Sequence, residues 1–271
     1  MEGKLQSGYA AVNGADIFYE NGGAGPAIVF IHAGVSDHRM WEPQFDTFAR
    51  HFRVVRYDLR GFGKSAMPEE RYALRDDLYG LLRFLGIDKA VLVGCSMGGT
   101  TAIDFTLEHP DMVRALVTVG SGVSGWNKWS EESVRLWTEL TILMRNGDLE
   151  RACELNARYW LDGPSRDVTK INPEYRALAR RIHEENFSAE RFARPGEELQ
   201  PPAIGRLAEI NVPTLVVIGD SDAQDLQKLA HRFAIEIPGA KNATIANAAH
   251  LPNLEHAQEF NRVLLDFVES L

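Results

Sequence analysis

The sequence predicts an α/β fold: a mainly parallel central sheet, helices on both faces, and a helical cap inserted between core strands. Three observations lead there. Continuous apolar runs such as Ala27-Ile28-Val29-Phe30-Ile31 and Ala90-Val91-Leu92-Val93 are what strands covered on both faces require. Stretches of helical length alternate with them, which is the pattern of βαβ units and parallel pairing. From about Ser121 to Leu207 that alternation stops, and only helix-like segments broken by Gly-Pro, Asn-Pro and Pro-Pro pairs follow.

Taken in order, residues 9–20 read as two short strands joined at Asn13-Gly14, a dipeptide that accepts positive φ in a tight hairpin. They form an antiparallel edge. The run 27–32 is a buried strand ending at His32-Ala33-Gly34, and a helix over 41–52 leads to a strand at 53–58. A loop from Leu59 to Ser65 and a helix over 71–85 precede the strand that begins at Ala90. After a helix reaching Glu108 comes another apolar strand, 112–120. The inserted segment carries helices over 131–145, 149–159 and 174–185. A strand at 213–219, a helix over 223–233, a weaker strand at 243–246 and an amphipathic helix over 255–271 complete the pattern. The expected division is a core domain of 1–122 and 208–271 with a cap of 123–207 between its strands.

The chemistry centres on Gly94-Cys95-Ser96-Met97-Gly98-Gly99, between a strand and a helix. A serine at such a strained turn exposes its hydroxyl, and glycines two residues either side let strand and helix cross closely. A serine hydroxyl becomes a nucleophile when a base takes its proton, and the base needs a third group to fix its tautomer. Asp222 and His250 follow Ser96 in that order, each in a loop after a core strand, so all three are expected at one edge of the sheet. Asp220 and Asp225 share the loop with Asp222; Asp220 is assigned to local turn bonding and Asp225 to the first turn of the next helix. Of the eight histidines, His51, His109, His183, His231 and His256 read as solvated helix residues, and His38 stays open. His32 is expected to brace its loop. The backbone amides of Gly34 and Met97 are the expected oxyanion donors.

Five motifs carry a resemblance. They are His32-Ala33-Gly34 with Trp41, Asp58-x-Arg60-Gly61-x-Gly63-x-Ser65, Gly94-x-Ser96-x-Gly98-Gly99, Gly219-x-x-Asp222, and Ala249-His250-Leu251-Pro252-Asn253-Leu254-Glu255. Over its whole length the chain resembles the α/β-hydrolase fold superfamily. Within it, the elbow and the C-terminal motif resemble 3-oxoadipate enol-lactonases and related carboxylesterases. In that superfamily the loop from Asp58 to Ser65 is structural. Ser96 stands where haloalkane dehalogenases and epoxide hydrolases carry aspartate, which argues against both. Leu251 replaces the Trp, and Cys95 the Asn, usual in meta-cleavage C-C hydrolases, and Ala33 replaces the common glycine of the oxyanion loop.

The resemblance implies a serine hydrolase of small carboxylic esters or lactones that works through an acyl-enzyme without metal or organic cofactor. Thioesterase, acyltransferase, C-C hydrolase and cofactor-free perhydrolase chemistry, or a ligand-binding receptor of the same fold, are the alternatives. Trp126, Trp129, Trp137 and Trp160 of the cap are expected to wall the substrate pocket. A net charge of -9 argues against nucleic acid or an anionic membrane surface as partner. With two cysteines, Cys95 and Cys153, and no apolar leader in the opening residues, a reducing cytoplasm is the expected setting. A homo-oligomer is compatible with the composition.

Overall fold

The computed structural model describes residues 5–271. Strands β1 (Gln6–Val12) and β2 (Ala15–Gly22) form the hairpin, with Asn13 and Gly14 at φ 47° and 76° in the turn. Next come β3 (Ala27–Ile31), α1 (Glu42–Phe48), β4 (Arg53–Tyr57), α2 (Leu74–Phe84), β5 (Ala90–Cys95), α3 (Met97–Glu108) and β6 (Val113–Val119). Between β6 and β7 lie α4 (Glu131–Arg145), α5 (Leu149–Trp160), α6 (Pro173–Asn186) and α7 (Ala189–Ala193), with no strand among them. The chain closes with β7 (Thr214–Gly219), α8 (Gln224–Glu236), β8 (Lys241–Ile245), α9 (Pro252–Glu255) and α10 (Ala257–Glu269).

The strands form one eight-stranded sheet in the order β1-β2-β4-β3-β5-β6-β7-β8. β1 pairs antiparallel with β2 and β2 with β4, and every other pair is parallel. Both faces are covered. Val29, Leu92 and Leu116 face the cluster built with α2, α3 and α8, through Leu81, Phe105 and Phe233. Ile28, Phe30, Val91 and Val93 face the opposite cluster with α1 and α10, through Phe48 and Phe260. Alternate residues of one strand therefore serve two cores, which is why the runs are apolar throughout.

Some expectations are corrected. The helix read over 41–52 is a short 3₁₀ turn, His38–Trp41, followed by α1, because Pro43 can begin an α-helix but cannot continue one from upstream. The terminal helix is broken at His256, whose φ of -125° and ψ of 56° lie outside the helical region. α7 was not foreseen; it is one turn in a Pro- and Arg-rich stretch.

The loop from Asp58 to Ser65 is a buried polar knot. Asp58 accepts from the His38 amide at 2.8 Å and the Lys64 amide at 2.9 Å, and its Oδ1 lies 2.6 Å from His38 Nδ1. This settles His38 as a structural residue. Arg60 donates to both carboxylate oxygens of Asp77 at 2.7 Å, with the guanidinium side chain fully buried. Removing one partner of such a pair strands the other charge, which costs roughly 3–5 kcal/mol. Asp77→Ala is therefore expected to lower unfolding free energy in urea by about 3 kcal/mol, and an unchanged midpoint would show that Arg60 does not depend on it.

Candidate active site

Ser96 sits between β5 and α3 with φ 52° and ψ -112°, a backbone conformation that L-residues rarely adopt. Close crossing explains the flanking glycines. A Cβ on Gly94 would lie 2.2 Å from the Gly98 carbonyl oxygen, and one on Gly98 would lie 2.3 Å from the Ile31 carbonyl oxygen. The Met97 amide is the first in α3, so it has no acceptor in the preceding turn. Gly34 lies against Met97, since a Cβ there would come 3.2 Å from Met97 Cε. His32 braces this loop as expected. Its Nε2 accepts from the Leu59 amide at 2.8 Å, so Nδ1 carries the proton and donates to the Ala33 carbonyl at 2.7 Å. Burial lowers the His32 pKa, which keeps that neutral tautomer.

Asp222 and His250 meet at the same sheet edge. His250 Nδ1 lies 3.0 Å from Asp222 Oδ2 and 3.2 Å from Oδ1, and both side chains are buried. Asp222 also accepts from the Ala223 amide at 2.7 Å. With Nδ1 engaged, Nε2 is the nitrogen left for the pocket that Ser96 and His250 both line. Gly120, at the end of β6, makes the pair possible. It has φ 47°, and a Cβ on it would lie 2.8 Å from Asp222 Oδ2 and 3.1 Å from His250 Nδ1. Asp220 is exposed and bonds Ser221 Oγ at 2.9 Å, a local turn contact as expected. Asp225 does more than start a helix. It is buried and accepts from the Ser130 amide and hydroxyl and from Ser133 Oγ, tying α4 to α8. Burial opposes its ionisation, but those hydrogen bonds prevail and lower its pKa.

The pocket encloses about 450 Å³. Core residues Gly34, Ser96, Met97 and His250 form one side, and Trp129, Trp137 and Trp160 from the helical segment form part of the other. Trp160 lies over the His250 ring with centroids 4.8 Å apart. Trp126 does not line the pocket; it packs edge-on to Trp129 and against the core, since it lies just before α4 and turns the other way. Leu251 is an apolar wall residue. Cys95 faces away, with Sγ 3.6 Å from the His250 carbonyl, and burial pushes its thiol pKa up.

His183 also corrects the sequence reading. It is buried on the inner face of α6, where it lines the pocket, while His51 and His231 are exposed as expected. Charged neighbours on the outer face of α6 hid this. Asp104 was not foreseen either. It lines the pocket from α3 and accepts from Ser124 Oγ at 2.7 Å, and burial raises its pKa to about 6. Asp37, His38 and Asp58 form the described cluster whose ligand atoms lie within 4.8 Å, yet its groups are engaged with Arg39, Asn186, Lys64 and one another. It serves the fold.

A doubly covered, mainly parallel sheet with a serine elbow and a histidine–carboxylate pair at one pocket defines a hydrolase class. The family model described as alpha/beta hydrolase family matches residues 28–263, and the chain belongs to that family. The chain is 33% identical over 266 residues to a 2-hydroxy-6-oxononadienedioate/2-hydroxy-6-oxononatrienedioate hydrolase of Paraburkholderia phymatum, covering 93% of this chain and 90% of the relative. It is 27% identical over 256 residues to 3-oxoadipate enol-lactonase 1 of Acinetobacter baylyi, covering 91% and 90%. The crystal structure of the enol-lactonase from Burkholderia xenovorans LB400 superposes with a TM-score of 0.80 at 28% identity, covering 97% of this chain and all of that one.

Two outcomes test this geometry. Gly120→Ala forces a methyl between Asp222 and His250, and displacement of that order costs about 10²-fold in turnover. A circular dichroism spectrum should stay native, and full activity would show that the contact is not needed. Asp104 has its folded pKa raised to about 6 from 3.8, so folding favours its protonated form. That contribution is present at low pH and lost as pH rises through about 6. Asp104→Asn mimics the protonated group, so its stability relative to the parent should rise by on the order of 2 kcal/mol between about pH 4 and 6 and level off above that. Thermal melts of both proteins across that range measure it; a pH-independent gap would contradict the assignment.

Proposed function

We propose that this chain is a serine hydrolase that cleaves a carboxylic ester or lactone of a small substrate through an acyl-enzyme. The observation that carries the reading is the His250–Asp222 pair at 3.0 Å, beside a serine held in a strained elbow at the same pocket. His250 Nε2 takes the Ser96 proton as Oγ attacks the carbonyl carbon. The developing oxyanion is held by the amides of Met97 and Gly34. Collapse breaks the bond to the leaving alkoxide, which receives the proton from His250. Water then repeats the cycle on the acyl-enzyme, restoring the Ser96 hydroxyl and releasing the acid. Asp222 orients the ring and stabilises its cation. The helical segment acts as a cap whose Trp129, Trp137 and Trp160 exclude water and shape the acyl or alcohol site.

One observation favours a second reading: the relative at 33% identity is named for a 2-hydroxy-6-oxo dienedioate, and hydrolysis there suggests cleavage of a vinylogous diketone at its carbon–carbon bond. Leu251 and the inward-turned Cys95 put no polar group on the pocket at two positions beside the elbow and the histidine, which supports the ester reading.

A turnover screen of p-nitrophenyl esters, lactones and a 2-hydroxy-6-oxo dienoate decides between them. Ester or lactone turnover well above dienoate turnover is expected, and the reverse order transfers the proposal to carbon–carbon cleavage. Ser96→Ala should abolish turnover in a folded protein. Asp222→Asn should lower it by roughly 10⁴-fold, as the corresponding change does in the chymotrypsin triad, whereas Asp220→Asn should cost far less. A crippled Asp220→Asn beside an active Asp222→Asn would overturn the assignment of the acid.

A further inference from the structure

Beside the Asp77-bound guanidinium of Arg60, whose Nη1 is also unpartnered, three uncharged polar atoms in the pocket wall are buried without a protein partner: Ser36 Oγ, Asn156 Oδ1 and His183 Nε2. Their residues are 4%, 2% and 3% exposed. They come from the loop after β3, from α5 and from α6, and other contacts join those elements into one wall. Asn186, one turn beyond His183, donates from Nδ2 to Asp37 Oδ2 at 2.7 Å, and Asp37 directly follows Ser36. The His183 ring bonds the backbone of Cys153, one turn before Asn156. Arg176 donates to Asp162 at 2.8 Å, aligning α6 antiparallel to α5.

A buried polar atom without a partner costs on the order of 1–3 kcal/mol, and folded proteins keep few of them. Gathering three in one pocket wall is a cost that hydrogen bonds from a ligand would offset. The loop bears a further cost, since Val35, between Gly34 and Ser36, has φ 54°. A β-branched residue avoids that region, and such strain collects at binding sites.

We propose that Ser36, Asn156 and His183 form a subsite that binds an uncharged hydroxyl group of the substrate on the oxyanion-loop side of the pocket. The inference rests on reading the Ser96 pocket as a hydrolase site. Burial, and then the nearby charge of Arg180, lower the His183 pKa to about 4, so the ring is neutral near pH 7. With its other nitrogen on the Cys153 backbone, Nε2 presents a lone pair and accepts the hydroxyl proton. The Ser36 hydroxyl or the Asn156 amide then donates to the hydroxyl oxygen. A hydroxyl has a proton to give that lone pair, whereas a carboxylate has none. The guanidinium of Arg191, which also lines the pocket, is engaged with the Asn186 carbonyl at 2.7 Å.

The test compares p-nitrophenyl hexanoate with its 3-, 5- and 6-hydroxy derivatives, in the parent protein and in Ser36→Ala, Asn156→Leu and His183→Phe. At least one hydroxylated ester should exceed the plain ester in kcat/KM by about tenfold or more in the parent, and the ratio should fall toward one in the variants. Thermal unfolding adds an arm that does not depend on turnover. Without ligand, Asn156→Leu should melt at or above the parent, because it removes an unsatisfied buried amide, keeps the branching and heavy-atom count, and directs its larger methyl groups beside an open pocket. No hydroxyl preference in the parent, or a strongly destabilised Asn156→Leu, overturns the subsite and assigns these atoms to the fold through bound water. Labelling of Ser96 by a small fluorophosphonate separates the two levels. Labelled protein that turns over the plain ester without hydroxyl preference loses the subsite alone. If neither labelling nor ester turnover occurs, the hydrolase reading fails, and the melting of Asn156→Leu decides the subsite.

Discussion

The structure depends on one close crossing, where β3, β5 and the start of α3 approach with no side chains between them. Cβ atoms at Gly94 and Gly98 would each fall within 2.3 Å of a backbone carbonyl oxygen, a distance no packing adjustment absorbs. That crossing forces Ser96 into its left-handed turn and sets Met97, the first residue of α3, against Gly34. A third strand end completes the arrangement: Gly120 has room for neither a methyl group nor an ordinary φ, and it leaves the space in which Asp222 meets His250. The site is thus set where backbones are closest, and its side chains project from a rigid sheet edge rather than from long loops.

The helical segment is joined to this edge by apolar contact, with Leu136 and Tyr159 in one core cluster and Leu161 and Tyr175 in the other, and by buried polar clasps. Ser130 and Ser133 close on Asp225, while Ser124 bonds both Asp104 and the Ala203 amide, holding the two ends of the segment to α8 and α3. Asn186 fastens α6 to the loop after β3 through Asp37, and its Oδ1 accepts from the Gly63 amide. Each clasp is shielded from water, so each is worth more than an exposed hydrogen bond and is directional as well. Trp160 is a residue through which the segment reaches the His250–Asp222 pair, since its ring covers His250. A tryptophan there shields the imidazole from bulk water, which strengthens the interaction with Asp222.

The pocket is polar in places that the proposed ester chemistry does not use. Apolar walls from Leu251, Leu254 and the tryptophans surround Ser96, whereas Asp104 lies toward Ser124, and Ser36, Asn156 and His183 form a wall between the loop after β3 and the helical segment. Hydrolysis of an ester asks for a nucleophile, a base and an oxyanion site. It does not ask for these further groups. Their presence inside a pocket of this volume is where selection among substrates of one reaction type would reside.

Sequence alone determined whatever depends on near neighbours or on order along the chain. The Asn13-Gly14 turn, the doubly buried strands, the elbow glycines and the order Ser96, Asp222, His250 are all of this kind, because turn chemistry and strand periodicity act over a few residues. His32 bracing its loop and Asp220 bonding its own turn were legible for the same reason. Tertiary structure alone decided which distant faces meet. A charged helix such as α6 shows that one face is buried but not what it is buried against, so His183 read as a surface residue and proved to be pocket wall. Asp225 became a clasp, Asp104 a largely buried acid and Gly120 the spacer of the His250 pair only because segments far apart in the chain converge there. Trp126 and Trp160 both pack against the same core cluster, yet only the backbone path before α4 and at the end of α5 sets one edge-on to Trp129 outside the pocket and the other onto His250.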